Sequence, residues 1–380
     1  MSPPDKRLFT PGPLTTSRTV KEAMLHDVGS RDTAFLSLVR DIRRQLLELG
    51  RAAPPHPYET ILMQGSGTFG VESVLSTVVP DTGRLLILAN GAYGERMARI
   101  AARLRLPHEV LHTPENVPPA ADTVCRRLAD RPTFTHLAMV HCETTTGILN
   151  PVEPIGRLAR ESGITFIVDA MSSFGALPLD LPAMGIDFLV SSANKCIEGV
   201  PGFSFILAQR DKLAACAGQS RGLSLDLHEQ WSGFESNGQF RFTPPTHALL
   251  AFDQALRELA DEGGVAGRVA RYQANHRALF DGMSRLGFRA FLPRQHQSPI
   301  ITTFLEPGDP RFQFEEFYER LSRHGHLIYP GKLGQGAGFR IGNIGRLDES
   351  DIQALLTAVT AVLKEMNLPI PVPAPAPAPA

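Results

Sequence analysis

Between Glu59 and about Arg210, six short apolar segments alternate with helical stretches: TILMQ, RLLILAN, HLAMVHCE, TFIVDA, DFLVSSA and FSFILA. Apolar runs of strand length, separated by helix-length intervals, predict strands covered by helices and so a mainly parallel, doubly wound α/β sheet. Few other architectures satisfy that alternation. It also predicts where chemistry sits, because ligands of such sheets lie beyond the carboxyl ends of the strands. Asp169, Lys195 and the loop HCETTTG all fall at such ends.

The flanks read differently. An extended, Pro-rich arm (1–20) leads into a helix from about Ala34 to Leu49, whose Phe35, Leu38, Val39, Ile42 and Leu46 share one face at helical spacing. With the alternating region this makes a large domain over 21–262. Beyond about Gly263 come a long helical stretch, a strand PIITTFL, a helix QFEEFYERLSRHG, short strands around HLIYPG and GFRIGN, and a helix from Glu349. That pattern predicts a smaller α+β domain over 263–366. The closing PIPVPAPAPAPA is expected to form neither helix nor sheet, leaving 367–380 as a disordered, polyproline-like tail.

Composition narrows the function. The chain has 380 residues, 43% hydrophobic and 20% charged, with a net charge of −1, which suits a soluble globular protein of more than one lobe. No block of like charge suggests nucleic acid or an anionic membrane as partner. The amino terminus MSPPDKRLFTPGPL lacks the apolar core of a signal peptide, and no run approaches the roughly 18 apolar residues of a membrane helix. A cytoplasmic protein acting on small molecules is expected. Cys125, Cys142, Cys196 and Cys216 form no C-x-x-C pair, which argues against a disulfide framework or a structural zinc site.

Lys195 stands among small residues between two apolar strands. Alone it reads as a surface loop lysine; at a strand end in this sheet it also reads as a Schiff-base lysine, which must lose its proton to attack an aldehyde. Gly65, Gly67 and Gly70 spell G-x-G-x-x-G between a strand and a helix, the pattern of a dinucleotide site. That pattern also requires an acid at the end of the second strand for the ribose, and here RLLILAN ends in Asn90. The remaining physics is a phosphate held at a helix start by backbone N–H groups and the hydroxyls of Ser66 and Thr68. Pyridoxal phosphate joins these fragments: one phosphate for Ser66, Gly67 and Thr68, an aldehyde for Lys195, and a ring nitrogen for Asp169, which lies 26 positions before Lys195. Tyr93, in NGAYGERM, offers an aromatic face to the ring.

The segments TPGPLTTSRTVKEAML, NGAYGERM, HCETTTGILNP, VDAMSSFGALPLD, SSANKCIEGVPGF, RFTPPTHALLAF, IYPGK and FRIGNIG carry a resemblance that runs from about Leu8 to Leu363. Together they resemble the 2-aminoethylphosphonate:pyruvate aminotransferases, a family within the class V group of fold-type I enzymes that also includes the alanine:glyoxylate aminotransferases. The resemblance implies a cytosolic homodimer that uses pyridoxal phosphate to convert 2-aminoethylphosphonate and pyruvate into phosphonoacetaldehyde and L-alanine, in phosphonate degradation. It gives Lys195 the bond to the cofactor, Asp169 the ring nitrogen, and Ser66, Gly67 and Thr68 the phosphate. Thr144 would lie near the ring's hydroxyl, Arg340 would bind the acidic group of the substrate, and Thr243 would reach the cofactor phosphate of the neighbouring subunit.

One segment departs from the pattern. In HDVGSRDTAF, Arg31 stands where aromatic and acidic residues are common, and it is the candidate second cation for a phosphonate. Other readings stay open at this stage: a serine or alanine:glyoxylate aminotransferase, an NAD-dependent oxidoreductase, and a cofactor-binding protein without activity.

Overall fold

The computed structural model describes residues 5–129, 133–331, 333–334 and 336–375. Its centre is a seven-stranded sheet: β1 (Tyr58–Gln64), β2 (Leu85–Ala89), β3 (His108–His112), β4 (His136–Val140), β5 (Thr165–Asp169), β6 (Phe188–Ser192) and β7 (Phe203–Gln209). They lie in the order β1-β7-β6-β5-β4-β2-β3. The pairs β2–β3, β2–β4, β4–β5 and β5–β6 are parallel, whereas β7 runs antiparallel to both β6 and β1. The exception has a physical cause: residues 193–202 are too few for a helical crossover, so the chain can only turn back. That forced turn carries Lys195.

β2, β4 and β6 are buried along their whole length, as strands dominated by apolar residues and covered on both faces are. Edge strand β3, HEVLH, is half-buried to exposed, and its mixed polarity hid it from the sequence reading. The helix expected from Ala34 spans Thr33–Leu49, with Asp32 capping it through the Ala34 amide at 2.9 Å and Phe35, Val39, Ile42 and Leu46 buried.

The smaller unit packs helices Gly264–Arg285, Phe314–Arg323 and Glu349–Glu365 on a three-stranded antiparallel sheet of β8 (Ile301–Leu305), β9 (Tyr329–Pro330) and β10 (Gly338–Gly342). The amino-terminal arm is built into it. Arg7–Leu8 pairs with His326–Leu327, Phe9 is buried in its core, and the Gly342 amide donates to the Phe9 carbonyl at 3.0 Å. From there the arm crosses to the sheet end that holds Lys195.

The expectation for 367–380 requires correction. Leu368 and Val372 are buried in the smaller core, and the Val372 amide donates to the Leu286 carbonyl at 2.8 Å. The Pro-Ala composition obscured two apolar anchors that dock the start of the segment; 376–380 lie outside the described residues. No helix among the described residues is long and apolar enough to cross a membrane.

Candidate active site

A cavity opens beyond the carboxyl ends of β1, β2, β4, β5 and β6. Its wall brings together Ser66, Gly67, Thr68, Tyr93, Thr144, Asp169 and Lys195, seven of the residues singled out in the sequence. The alternation of strands and helices explains this convergence, since every parallel strand delivers its carboxyl end to the same side.

Lys195 lies on the turn between β6 and β7, and its Nζ donates to the Pro11 carbonyl at 2.9 Å. The arm presses close here: Gly12 has φ of +122°, and a methyl group at that position would collide with the Lys195 amine. Burial pushes the Lys195 pKa down to about 8, against the pull of Cys196 and Asp169 and with help from Arg340 and Arg96. At neutral pH about a tenth of the amine is therefore uncharged, far more than for an ordinary lysine. Asp169 ends β5 and accepts from the Met171 amide at 2.9 Å. Burial pushes its carboxyl up to about 6, with Glu143 adding to the rise and the Met171 amide, Arg96 and Lys195 opposing it. It is thus ionised at neutral pH, at a cost that a cationic partner would offset.

The helix Gly67–Val78 starts at the cavity with Ser66 as its N-cap, and the Ser66 side chain makes no capping hydrogen bond. Its hydroxyl and the Gly67 and Thr68 amides are available to an anion, the Phe69 and Gly70 amides being bonded to the Ser66 carbonyl. Gly67 has no space for a side chain, because a Cβ would run into the Met171 sulfur. The donor set is that of a phosphate cradle. Tyr93 opens the helix Ala92–Arg103, so two helix starts face the same space.

Arg340, on β10, lies beside this cavity and is 1% exposed. Its Nε donates to the Pro330 carbonyl at 2.9 Å and its Nη1 to the Thr144 carbonyl at 3.0 Å. Among the described residues it makes no ion pair with a carboxylate. Burial lowers its pKa, a sign that its charge is under-compensated. Thr243 and Arg31 are outside the cavity and exposed. Their segments adjoin each other through Asp27 and His247, 3.3 Å apart, and the Gln64 side chain reaches the Thr243 carbonyl at 3.3 Å.

Sequence reasoning missed five groups. Arg96 lines the cavity one turn after Tyr93, with its guanidinium 4.8 Å from the Tyr93 ring centroid and Nη1 3.1 Å from the Thr68 hydroxyl. The spacing of three within NGAYGERM was the signal. Ser192 and Asn194 also line the wall beside Lys195, and Glu143, inside HCETTTG, is wholly buried. The Pro11 carbonyl had no sequence signal, since the contact spans 184 positions.

The family model for class-V aminotransferases matches residues 20–317, and the chain belongs to that family. Among curated relatives, the 2-aminoethylphosphonate–pyruvate transaminase of Salmonella typhimurium is 52% identical over 358 residues, covering 94% of this chain and 97% of the relative. The protein of that name from Salmonella paratyphi B matches to the same extent, 52% over 358 residues. Among solved structures, alanine–glyoxylate aminotransferase from Nostoc sp. superposes with a TM-score of 0.87 at 27% identity, covering 96% of both chains. Ureidoglycine-glyoxylate aminotransferase from Bacillus subtilis gives 0.88 at 24% identity, over 97% of this chain and 96% of that one, and speaks to the fold alone. The expected fold class, a fold-type I aminotransferase with a mainly parallel sheet, is borne out.

Proposed function

We propose that this chain is a pyridoxal-phosphate-dependent transaminase that moves the amino group of 2-aminoethylphosphonate to pyruvate, giving phosphonoacetaldehyde and L-alanine. The observation that carries the reading is the grouping of Lys195, Asp169 and the Ser66-Gly67-Thr68 cradle around one cavity, with a carboxylate-free Arg340 beside it. Kinship to relatives of that printed name supports the substrate pair. A dinucleotide reading has less support, because the second strand is followed by Asn90, whose amide is engaged with Asn150 at 2.8 Å.

When bound, the cofactor supplies an aldehyde to take up amino groups and a protonated ring that accepts electron density. The chain supplies the rest. Ser66, Gly67 and Thr68 would hold the phosphate, Asp169 would hold a proton at the ring nitrogen, Tyr93 would offer an aromatic face to the ring, and Thr144 would serve its hydroxyl side. Lys195 would anchor the cofactor, and its Nζ is placed to move the proton of the substrate's amino-bearing carbon. The depressed pKa suits that work, since a neutral amine is the base. Arg340 grips phosphonate and carboxylate in turn through paired, charge-assisted hydrogen bonds.

We further propose a cytoplasmic homodimer with shared active sites. Phe69 (50% exposed), Phe242 (46%), Leu223 (77%) and Leu25 (78%) present unusual apolar surface near the cradle's rim and the Thr243 segment. A second copy covering that surface would bring Thr243 to the neighbour's cofactor phosphate, and Arg31, on the adjoining loop, to the neighbour's phosphonate. Mixing Lys195→Ala with Thr243→Ala subunits is expected to regain activity that neither parent has; silence after demonstrated subunit exchange would return Thr243 to its own subunit.

The functional test is single-turnover conversion of the bound cofactor, followed by absorbance, with 2-aminoethylphosphonate, alanine, serine and taurine compared side by side. 2-Aminoethylphosphonate and alanine are expected to react, and serine and taurine to lag. Preference for serine, or no response to 2-aminoethylphosphonate, would overturn the substrate assignment.

A further inference from the structure

Glu143 is a carboxylate with no exposed surface, and no ion pair to it is found among the described residues. Its Oε2 accepts from the Tyr93 amide at 3.0 Å and the Gly94 amide at 3.3 Å. Its Oε1 accepts from the Thr145 amide at 3.2 Å and the Thr145 hydroxyl at 2.5 Å. The first two donors belong to the opening turn of the helix Ala92–Arg103, whose N-cap, Gly91, has no side chain to offer. A carboxylate from a loop 50 positions away therefore does the work of the missing cap, where the helix dipole favours negative charge. The fit is close: a methyl group on Gly91 would collide with the Glu143 side chain.

Tyr93 and Arg96 stand on the turn thus held. The Arg96 guanidinium lies 4.8 Å from the Tyr93 ring centroid, and its Nη1 donates to Thr68 in the cradle at 3.1 Å. A continuous set of contacts runs from Glu143 through the helix start and Arg96 to Thr68, joining the ring-facing wall to the phosphate-facing wall.

We propose that Glu143 is a positioning residue of the active site: by capping the helix start it fixes Tyr93 and Arg96 against the cofactor. The inference rests on the proposed cofactor site and deepens it. Glu143 acts only through the residues it holds. An amide at this position has one acceptor oxygen and turns its NH2 group toward backbone donors, so Glu143→Gln disrupts the cap while keeping the volume.

The test is titration of cofactor-free protein with pyridoxal phosphate, read by absorbance and by quenching of intrinsic fluorescence. Glu143→Gln is expected to weaken binding about tenfold or more, as would follow from losing one or two charge-assisted hydrogen bonds. Tyr93→Leu should weaken it too, and the double variant should lose less than the sum of the two single losses, since part of the support that Glu143 gives runs through Tyr93. Thr145→Val, which deletes one bond to the same carboxylate and the bond that the Ala92 amide at the helix start makes to the Thr145 hydroxyl at 3.1 Å, should give a smaller loss in the same direction and serves where Glu143→Gln does not fold. Wild-type affinity in both Glu143→Gln and Thr145→Val would overturn the inference, as would additive losses in the double variant. Failure of wild-type protein to bind pyridoxal phosphate would instead overturn the functional reading.

Discussion

Two arginines of this molecule are equally buried and oppositely furnished. Arg268 has no exposed surface; its Nε lies 2.8 Å from Glu262, its Nη1 lies 3.5 Å from Glu198, and Nη1 also donates to the Cys196 carbonyl. Arg271 joins the same two acids, and the Tyr272 hydroxyl donates to Glu198 at 2.6 Å. Arg340 is 1% exposed; it donates to carbonyls at 2.9 and 3.0 Å, is hydrogen-bonded to the Tyr93 side chain, and has the Tyr329 ring 5.4 Å from its guanidinium carbon, with no ion pair to a carboxylate among the described residues. Burial pulls both pKa values down; Tyr272 and the acids reverse the effect at Arg268, and nothing reverses it at Arg340. A buried charge without a partner is expensive, so a chain that keeps one has a use for it. The paired arginine secures the turn that bears Lys195, only three positions before Glu198, whereas the unpaired one is proposed to receive an anion from outside.

That contrast can be broken at several points. The largest stability effect is expected at the paired site: Arg268→Met should cost about 3–5 kcal/mol, because it strands part of the charge on Glu198 and Glu262 in the interior. Urea denaturation reads this directly, and a loss below about 1 kcal/mol would show that Arg271 alone satisfies both acids. An apolar yardstick comes from deleting residues 368–380, which removes buried Leu368 and Val372 and should cost about 2–4 kcal/mol. An unchanged melting temperature would mean that this segment docks without contributing.

A smaller effect of the opposite sign is expected in the cavity. Asp169 has a raised carboxyl pKa of about 6 in the folded, cofactor-free protein, so folding favours its protonated form. The resulting penalty is absent below about pH 4, where the carboxyl is protonated in both states, grows as pH rises toward the folded value of about 6, and is fully present above it. Asp169→Asn should therefore stabilise cofactor-free protein by up to about 3 kcal/mol at pH 7, lose that advantage on acidification, and abolish most turnover. Denaturation at pH 4 and pH 7 separates the terms; equal stability of the two proteins at pH 7 would remove the penalty.

Much of this was legible in the chain. Unbroken apolar strands and helix-length spacers fixed the sheet, and strand ends marked Asp169, Lys195 and the cradle because parallel topology sends them to one side. What escaped depends on distance along the chain or on chemistry that looks unremarkable locally. Strand β3, HEVLH, is an edge strand whose exposed face needs no apolar run. Glu143 gains its meaning only from amides 49 and 50 positions away. Leu368 and Val372 are two anchors inside a Pro-Ala run, and composition averages them away. Arg340 was named by resemblance; what the fold adds is that, among the described residues, it pairs with no carboxylate and is bonded to two carbonyls and Tyr93.

The central claim, that the cavity's unpaired charge is kept for a ligand, is tested most directly by Arg340→Met. Stability of the cofactor-free protein in urea and the two half-reactions, with 2-aminoethylphosphonate and with pyruvate, should be measured on the same preparation. The account requires stability within about 1 kcal/mol of wild type, because no carboxylate is stranded. It also requires a loss of at least about a hundredfold in both half-reactions, the minimum for two charge-assisted hydrogen bonds. Destabilisation as large as that of Arg268→Met, with either half-reaction intact, would contradict it.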